Sequence, residues 1–261
     1  MIGTAQALLA ALSGIAVGFT LGLVGGGGSI LAVPLMVYVV GVRSPHIAIG
    51  TSALAVAANA LAGLANHARA HNVNWRCGGA YALAGVFGAL AGSSAGKAFD
   101  GQKLLFLFAL LMIGVAVLMY RSRNGEGVEG VVCNRDNFPK VAGFGLGTGM
   151  LSGFFGIGGG FLIVPGLIAS TSMPIYRAIG TSLVAVSAFG LTTALNYAAS
   201  GLIDWPLAAS FIGGGIAGSL LGTRVSRRLA AKKGTLNALF ATLVLGVAVY
   251  MLTKSWFALQ G

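Results

Sequence analysis

Eight stretches of this chain contain no Asp, Glu, Lys or Arg: 1–42, 44–68, 77–96, 104–120, 141–176, 178–203, 205–223 and 234–253. A helix crossing a bilayer core needs about 20 mainly apolar residues, so six of these windows suit one crossing each. The windows 1–42 and 141–176 are too long for one. Glycines cut each near its middle, Gly25-Gly26-Gly27-Gly28 in the first and Gly156-Ile157-Gly158-Gly159-Gly160 in the second. Each window therefore reads as a broken helix pair, 5–24 with 29–41 and 140–155 with 160–170. The second member of each pair is short enough to reach only part way across. Charged residues are 8% of the 261, against about a quarter in a soluble domain, too few to cover a water-facing surface. The expected class is an all-α polytopic membrane protein.

A signal peptide would need a positive n-region, which Met1 to Gln6 lacks, so the first helix is expected to belong to the mature protein. A net charge of +11 would suggest nucleic acid in a soluble chain. In a membrane protein, basic loops set orientation and meet anionic head groups, and no nucleic-acid partner is expected. Cys77 and Cys133 form no CxxC pair and have no metal-ligand spacing, so both are expected to be free thiols.

The chain is two copies of one unit. Gly18, Gly22, Gly25, Gly27, Gly28, Val33 and Pro34 fall on Gly149, Gly153, Gly156, Gly158, Gly159, Val164 and Pro165 at an offset of 131. Ala48-Ile49-Gly50-Thr51-Ser52 recurs as Ala178-Ile179-Gly180-Thr181-Ser182 at an offset of 130, as do Asn66 at Asn196 and Trp75 at Trp205. The organisation is a first transmembrane repeat over 1–121, a polar cytoplasmic linker over 122–139 and a second repeat over 140–261. Each repeat is a glycine-broken pair followed by three transmembrane helices. If the pair returns to its own side, the halves are inverted. Arg69, Arg76, Arg121, Arg123, Arg135, Lys140, Arg177, Arg224, Arg227, Arg228, Lys232 and Lys233 then share one face, against Arg43, Lys97, Lys103 and Lys254 on the other, 12 to 4. Parallel halves would split them 9 to 7. The larger asymmetry favours inverted repeats with both termini outside.

Consecutive glycines disfavour helix by about 1 kcal/mol each, and freed backbone groups cannot face lipid. Such breaks in matched positions of two halves mark transporter sites near the midplane, where half-helix N-termini suit an anion. Gly26, Gly27, Gly28, Gly158, Gly159 and Gly160 would offer backbone N–H donors there, with Ser29 beside them. Thr51, Ser52, Thr181 and Ser182 could donate to the anion or bond a carbonyl one turn back. Asn66 and Asn196 read as caps or interhelical glue, and glycines spaced four apart as helix packing. All five acids lie in loops, so an anion would be held by dipoles and hydroxyls. His46, His67 and His71 sit at helix ends or in loops. His67 and His71 have a metal-binding i, i+4 spacing, but no third ligand lies near, and an enzyme, a metal site and a cofactor are not expected.

The duplicated glycine break with Val33-Pro34 and Val164-Pro165, together with Ala48 to Ser52 and Arg177 to Ser182, resembles the TauE/SafE family of membrane permeases, also called sulfite exporters. The resemblance covers nearly the whole chain. It implies a bacterial inner-membrane transporter of small sulfur-containing anions such as sulfite, a sulfonate or sulfoacetate, commonly an exporter. It also implies that the break glycines, Ser29 and the two Thr-Ser pairs line the translocation site. The expected partners are a small anionic substrate and membrane lipids, and a homodimer is compatible. A permease for another solute and a non-transport assembly subunit remain alternatives.

Overall fold

The computed structural model describes residues 3–121, 133, 137–156, 159–229, 242 and 244–254. Among them the chain is helical, without strands. Helix α1 (Thr4–Val24) runs into a 3₁₀ turn over Gly25–Leu31, a short α2 (Ala32–Pro34) and a π turn over Leu35–Val39. Helices α3 (Pro45–Arg69), α4 (Trp75–Ala98) and α5 (Gly101–Arg121) follow. Helices α6 (Phe138–Phe155) and α7 (Gly160–Thr171) form the second broken pair, followed by α8 (Ile175–Ala198), α9 (Trp205–Leu229) and α10 (Val244–Lys254). Both breaks fall where the glycine runs lie. Thr4–Leu23, Pro45–Arg69, Ile175–Ala198 and Trp205–Val225 are each long and apolar enough to cross a membrane.

The helix starts follow local chemistry. Asn74 Oδ1 accepts from Cys77 N at 3.2 Å to cap α4, and Asp204 Oδ1 accepts from Leu207 N at 3.1 Å to cap α9. Asp100 Oδ1 accepts from Gln102 N and Lys103 N at 3.1 and 2.9 Å at the start of α5. Each satisfies amides that have no partner inside the helix. Pro45 and Pro139 open α3 and α6, where a missing N–H costs nothing.

Three helix pairs build the bundle. Helices α3 and α8 cross at its centre, where Gly50 meets Tyr197, Gly190 meets Ala53 and Ala57, and Gly63 meets Leu183, so the two run antiparallel. Helices α1 and α9 run parallel, with Gly14, Gly18 and Gly22 against Phe211, Gly215 and Ser219. Helices α4 and α6 repeat that parallel contact through Gly85 against Gly149 and Ala89 against Gly153. A Cβ at Gly14, Gly18, Gly22, Gly149 or Gly153 would strike a backbone carbonyl across the interface. The spaced glycines therefore serve close helix approach, which lipid alone does not drive. Leu83, Phe87, Leu146, Met150 and Leu221 stand exposed on the outer helices, an apolar surface suited to acyl chains.

Two expectations need correction or bounding. Cys77 and Cys133 are joined in a disulfide with Cα atoms 5.4 Å apart, not free. Their separation of 56 residues hid a contact that the fold creates by returning the chain to the head of α4. Of the linker 122–139, only Cys133 and 137–139 lie among the described residues. Gly158, Arg123, Arg135, Lys232 and Lys233 also lie outside them.

Candidate functional site

The two Gly-Thr-Ser triplets make one contact twice. Thr51 Oγ1 accepts a hydrogen bond from Asp204 N at 3.0 Å, and Thr181 Oγ1 accepts one from Asn74 N at 3.0 Å. Each threonine thus binds the residue that caps a helix of the other half. The glycine beside it lets the same loop approach: a Cβ at Gly50 would meet the Leu202 carbonyl, and one at Gly180 the Asn72 carbonyl. Ser52 Oγ donates to Ile49 O at 3.0 Å and Ser182 Oγ to Ile179 O at 2.7 Å, both one turn back. Asn72 Nδ2 adds a bond to Tyr176 O at 2.9 Å at the Thr181 end. Asn196 is interhelical glue: its Nδ2 donates to Ser93 Oγ at 2.6 Å, while its Oδ1 accepts from Lys97 Nζ at 2.8 Å.

The breaks differ in detail. The first is a continuous 3₁₀ turn that packs against α7 and α8. Thr20 Oγ1 lies 3.4 Å from Gly28 O and 2.9 Å from Val17 O, tying the turn back to α1. A Cβ at Gly28 would collide with the backbone of Thr20 and Leu21. Gly26 and Gly27 lie within the turn, and Ser29 is buried. In the second break Gly156 closes α6 with φ 67° and Gly159 opens α7 with φ 62°, left-handed values that glycine adopts freely. Gly156 rests on Ile49, beside the first triplet. Gly159 abuts Ser152, whose Oγ is buried without a hydrogen-bond partner, and the buried Gly160 begins α7.

These residues form two groups, not one. Thr51 is level with Asp204 and Thr181 with Asn74, at opposite ends of the antiparallel α3–α8 pair. Gly63 packs on Leu183, two residues past Thr181, so the levels of the two triplets lie about 14 residues of α3 apart, about 21 Å at 1.5 Å per residue. The second break joins the Thr51 end through Ile49, and the first contacts α8. The first break also packs on α7, the helix that the second break opens. Ser29, Thr51, Ser52, Thr181 and Ser182 are all 0% exposed, so both groups are closed to solvent.

One polar centre at mid-depth escaped the motif reading. Asn59, halfway along α3, is 0% exposed, and neither its Oδ1 nor its Nδ2 has a partner. Its side chain lies on Gly215 of α9. Ser13 on α1 is 4% exposed with an unpartnered Oγ, and its neighbour Gly14 packs at the Gly215 amide. Leaving such groups unbonded costs about 1–3 kcal/mol each. The repeat marks them: at offsets of 130 and 131 the equivalents of Asn59 and Ser13 are Phe189 and Phe144. Phe189 lies on Gly85 as Asn59 lies on Gly215, and it stacks on Tyr81 with centroids 6.4 Å apart.

Other polar residues are engaged at helix ends. His67 Nδ1 lies 3.1 Å from Asn72 Nδ2, and His46 Nε2 lies 3.1 Å from Phe99 O. Asp100 and Asp204 are the helix caps described above. Among the described residues, no three His, Cys, Asp or Glu side chains gather in a way that would hold a metal ion.

Comparison with known proteins bears on the chain as a whole. The family model described as sulfite exporter TauE/SafE matches residues 10–251. A probable membrane transporter protein of Xylella fastidiosa strain 9a5c is 52% identical over 263 residues, covering 98% of this chain and 99% of the relative. One of Methanocaldococcus jannaschii is 27% identical, covering 84% and 87% of the two chains. One of Bacillus subtilis is 25% identical, covering 84% and 88%. No solved structure shows significant similarity.

Proposed function

The chain belongs to the sulfite exporter TauE/SafE family of membrane transporters, and from that premise we propose that it exports a small oxyanion or organosulfonate. It is a multi-pass membrane protein, and we read it as a carrier rather than an enzyme. The observation that carries the anion reading is the N-terminus of α7. A 12-residue helix starts at a left-handed glycine, and the buried, unpartnered Ser152 hydroxyl abuts that glycine. Helix N-termini present free amides and the positive end of the dipole, and the hydroxyl adds a neutral donor. In this proposal Gly26, Gly27, Gly28, Ser29, Thr181 and Ser182 serve one end of the path. Gly159, Gly160, Thr51 and Ser52 serve the other.

The inverted relation of the halves is part of the same proposal. It is supported by α3 and α8, equivalent helices that run antiparallel, and by the exchange of equivalent contacts between Thr51–Asp204 and Thr181–Asn74. Both termini then lie outside, with the basic loops facing the cytoplasm. Neutral donors bind weakly and release readily. Export down a membrane potential is favoured by about 2.3 kcal/mol per charge per 100 mV, so no coupling ion is required. Flux measured in proteoliposomes with sulfite, sulfoacetate, sulfate and acetate tests the reading. Saturable, potential-driven movement of at least one sulfur oxyanion is expected. Movement of cations with none of these anions would overturn it.

A further inference from the structure

We propose that Asn59 and Ser13 form a mid-membrane contact for the transported anion, on the α1–α3–α9 side of the bundle alone. The inference rests on the carrier reading above and adds a residue set that neither glycine break contains. A fully buried carboxamide with both polar atoms unbonded is unusual, because buried polar groups in folded proteins almost always find partners. At bilayer depth no bulk water compensates it. Asn59 and Ser13 lie on helices packed along Gly14, Gly18 and Gly215, within about one turn of each other in depth. The two amide hydrogens of Asn59 and the hydroxyl of Ser13 are neutral donors, matching an oxyanion that must be held and then released.

Position supports the same role. The end groups lie about 21 Å apart along α3, so an anion passing between them needs a polar stop on the way. Asn59 is 14 residues into α3, about 21 Å from the Pro45 end at 1.5 Å per residue. The mate of this site cannot serve, since Phe189 fills the matching place over Gly85 against Tyr81. The route is therefore one-sided although the backbone is duplicated.

The test compares Asn59→Leu, Asn59→Ala and Ser13→Ala with wild type in sulfite and sulfoacetate flux, alongside thermal unfolding of the purified protein with and without each anion. Asn59→Leu removes the unbonded amide at nearly constant volume. It is expected to raise the unliganded Tm, abolish the anion-induced Tm shift and lower flux at least tenfold. Ser13→Ala is expected to lower flux several-fold at unchanged Tm. If Leu crowds Gly215 and prevents folding, Asn59→Ala decides by the same flux and Tm-shift criteria. Wild-type flux with full activity in the Asn59 variants would overturn this contact and leave the carrier reading standing. Wild-type protein that moves neither anion would overturn both.

Discussion

The two halves place matched sequence positions under different side chains. In the first half, Thr20 ties the break to α1, while at mid-depth Asn59 and Ser13 stand unbonded. In the second half the order reverses. Ser152 stands unbonded beside Gly159 at the break, while at mid-depth Phe189 stacks on Tyr81, whose hydroxyl lies 2.8 Å from Thr148 Oγ1. Duplication supplies the scaffold, and divergence separates sealed positions from polar ones. The sealed positions should then carry stability and the polar ones transport.

The largest effect expected from that division is at Phe189. Phe189→Ala empties a fully buried aromatic site, which costs about 3–5 kcal/mol. Unfolding in detergent should show that loss, while flux per folded molecule stays near wild type. Asn59→Leu should do the opposite, stabilising the protein by about 1–3 kcal/mol as the unbonded amide is removed while flux falls. Two variants that shift stability in the same direction would erase the distinction between the halves.

Next come the glycines that both halves share. Gly18→Leu in α1 and Gly149→Leu in α6 drive side chains into Gly215 and Gly85 backbone atoms. Overpacking of this kind costs up to about 3 kcal/mol, or more where backbone must move. The two losses, read from unfolding, should match within about 1 kcal/mol if the α1–α9 and α4–α6 interfaces are equivalent. A much smaller loss at one of them would show that duplication kept the sequence pattern without the packing.

The cap contacts should be smaller and again paired. Thr51→Val and Thr181→Val keep the shape and leave the Asp204 and Asn74 amides without their acceptors. Each should destabilise by about 1–3 kcal/mol. Hydrogen exchange at those two amides should rise by similar factors, localising the loss to the loops.

Much of this arrangement was legible in the residues. The charge-free windows and glycine runs located the helices and both breaks, because bilayer thickness and glycine chemistry act locally. The offsets of 130 and 131 paired equivalent positions before any contact was known. The Gly-Thr-Ser triplets were legible as a motif, but not the contacts they make. Their partners, Asp204 and Asn74, lie 153 and 107 residues away, too far for a local window to show that each hydroxyl accepts a backbone amide. Cys77 with Cys133 failed for the same reason. Asn59 is not legible from positions where the copies agree, such as Asn66 and Asn196. Its signal was the disagreement, an amide facing a phenylalanine across the repeat. The depth of the breaks depended on where α1 and α6 begin relative to α9 and α4, which no single window reveals.

The smallest effect concerns a network for which the described residues of the other end show no counterpart. Lys97 Nζ donates to Asn196 O at 3.0 Å, Asn196 Oδ1 at 2.8 Å and Ser200 Oγ at 2.8 Å. It ties the end of α4 to the end of α8, across the halves. Bonds to a charged donor are worth more than neutral ones, but this group is only half-buried, and solvent screening reduces such contacts to about 1 kcal/mol or less. Lys97→Met keeps the aliphatic stem and should cost about that much in unfolding. In a double-mutant cycle with Asn196→Ala, a coupling of about 0.5–1 kcal/mol is expected, with Asn196 still held by Ser93 in the single lysine variant. A loss as large as that of Thr51→Val would mean that a side-chain network, and not the paired caps, holds this end of the halves together.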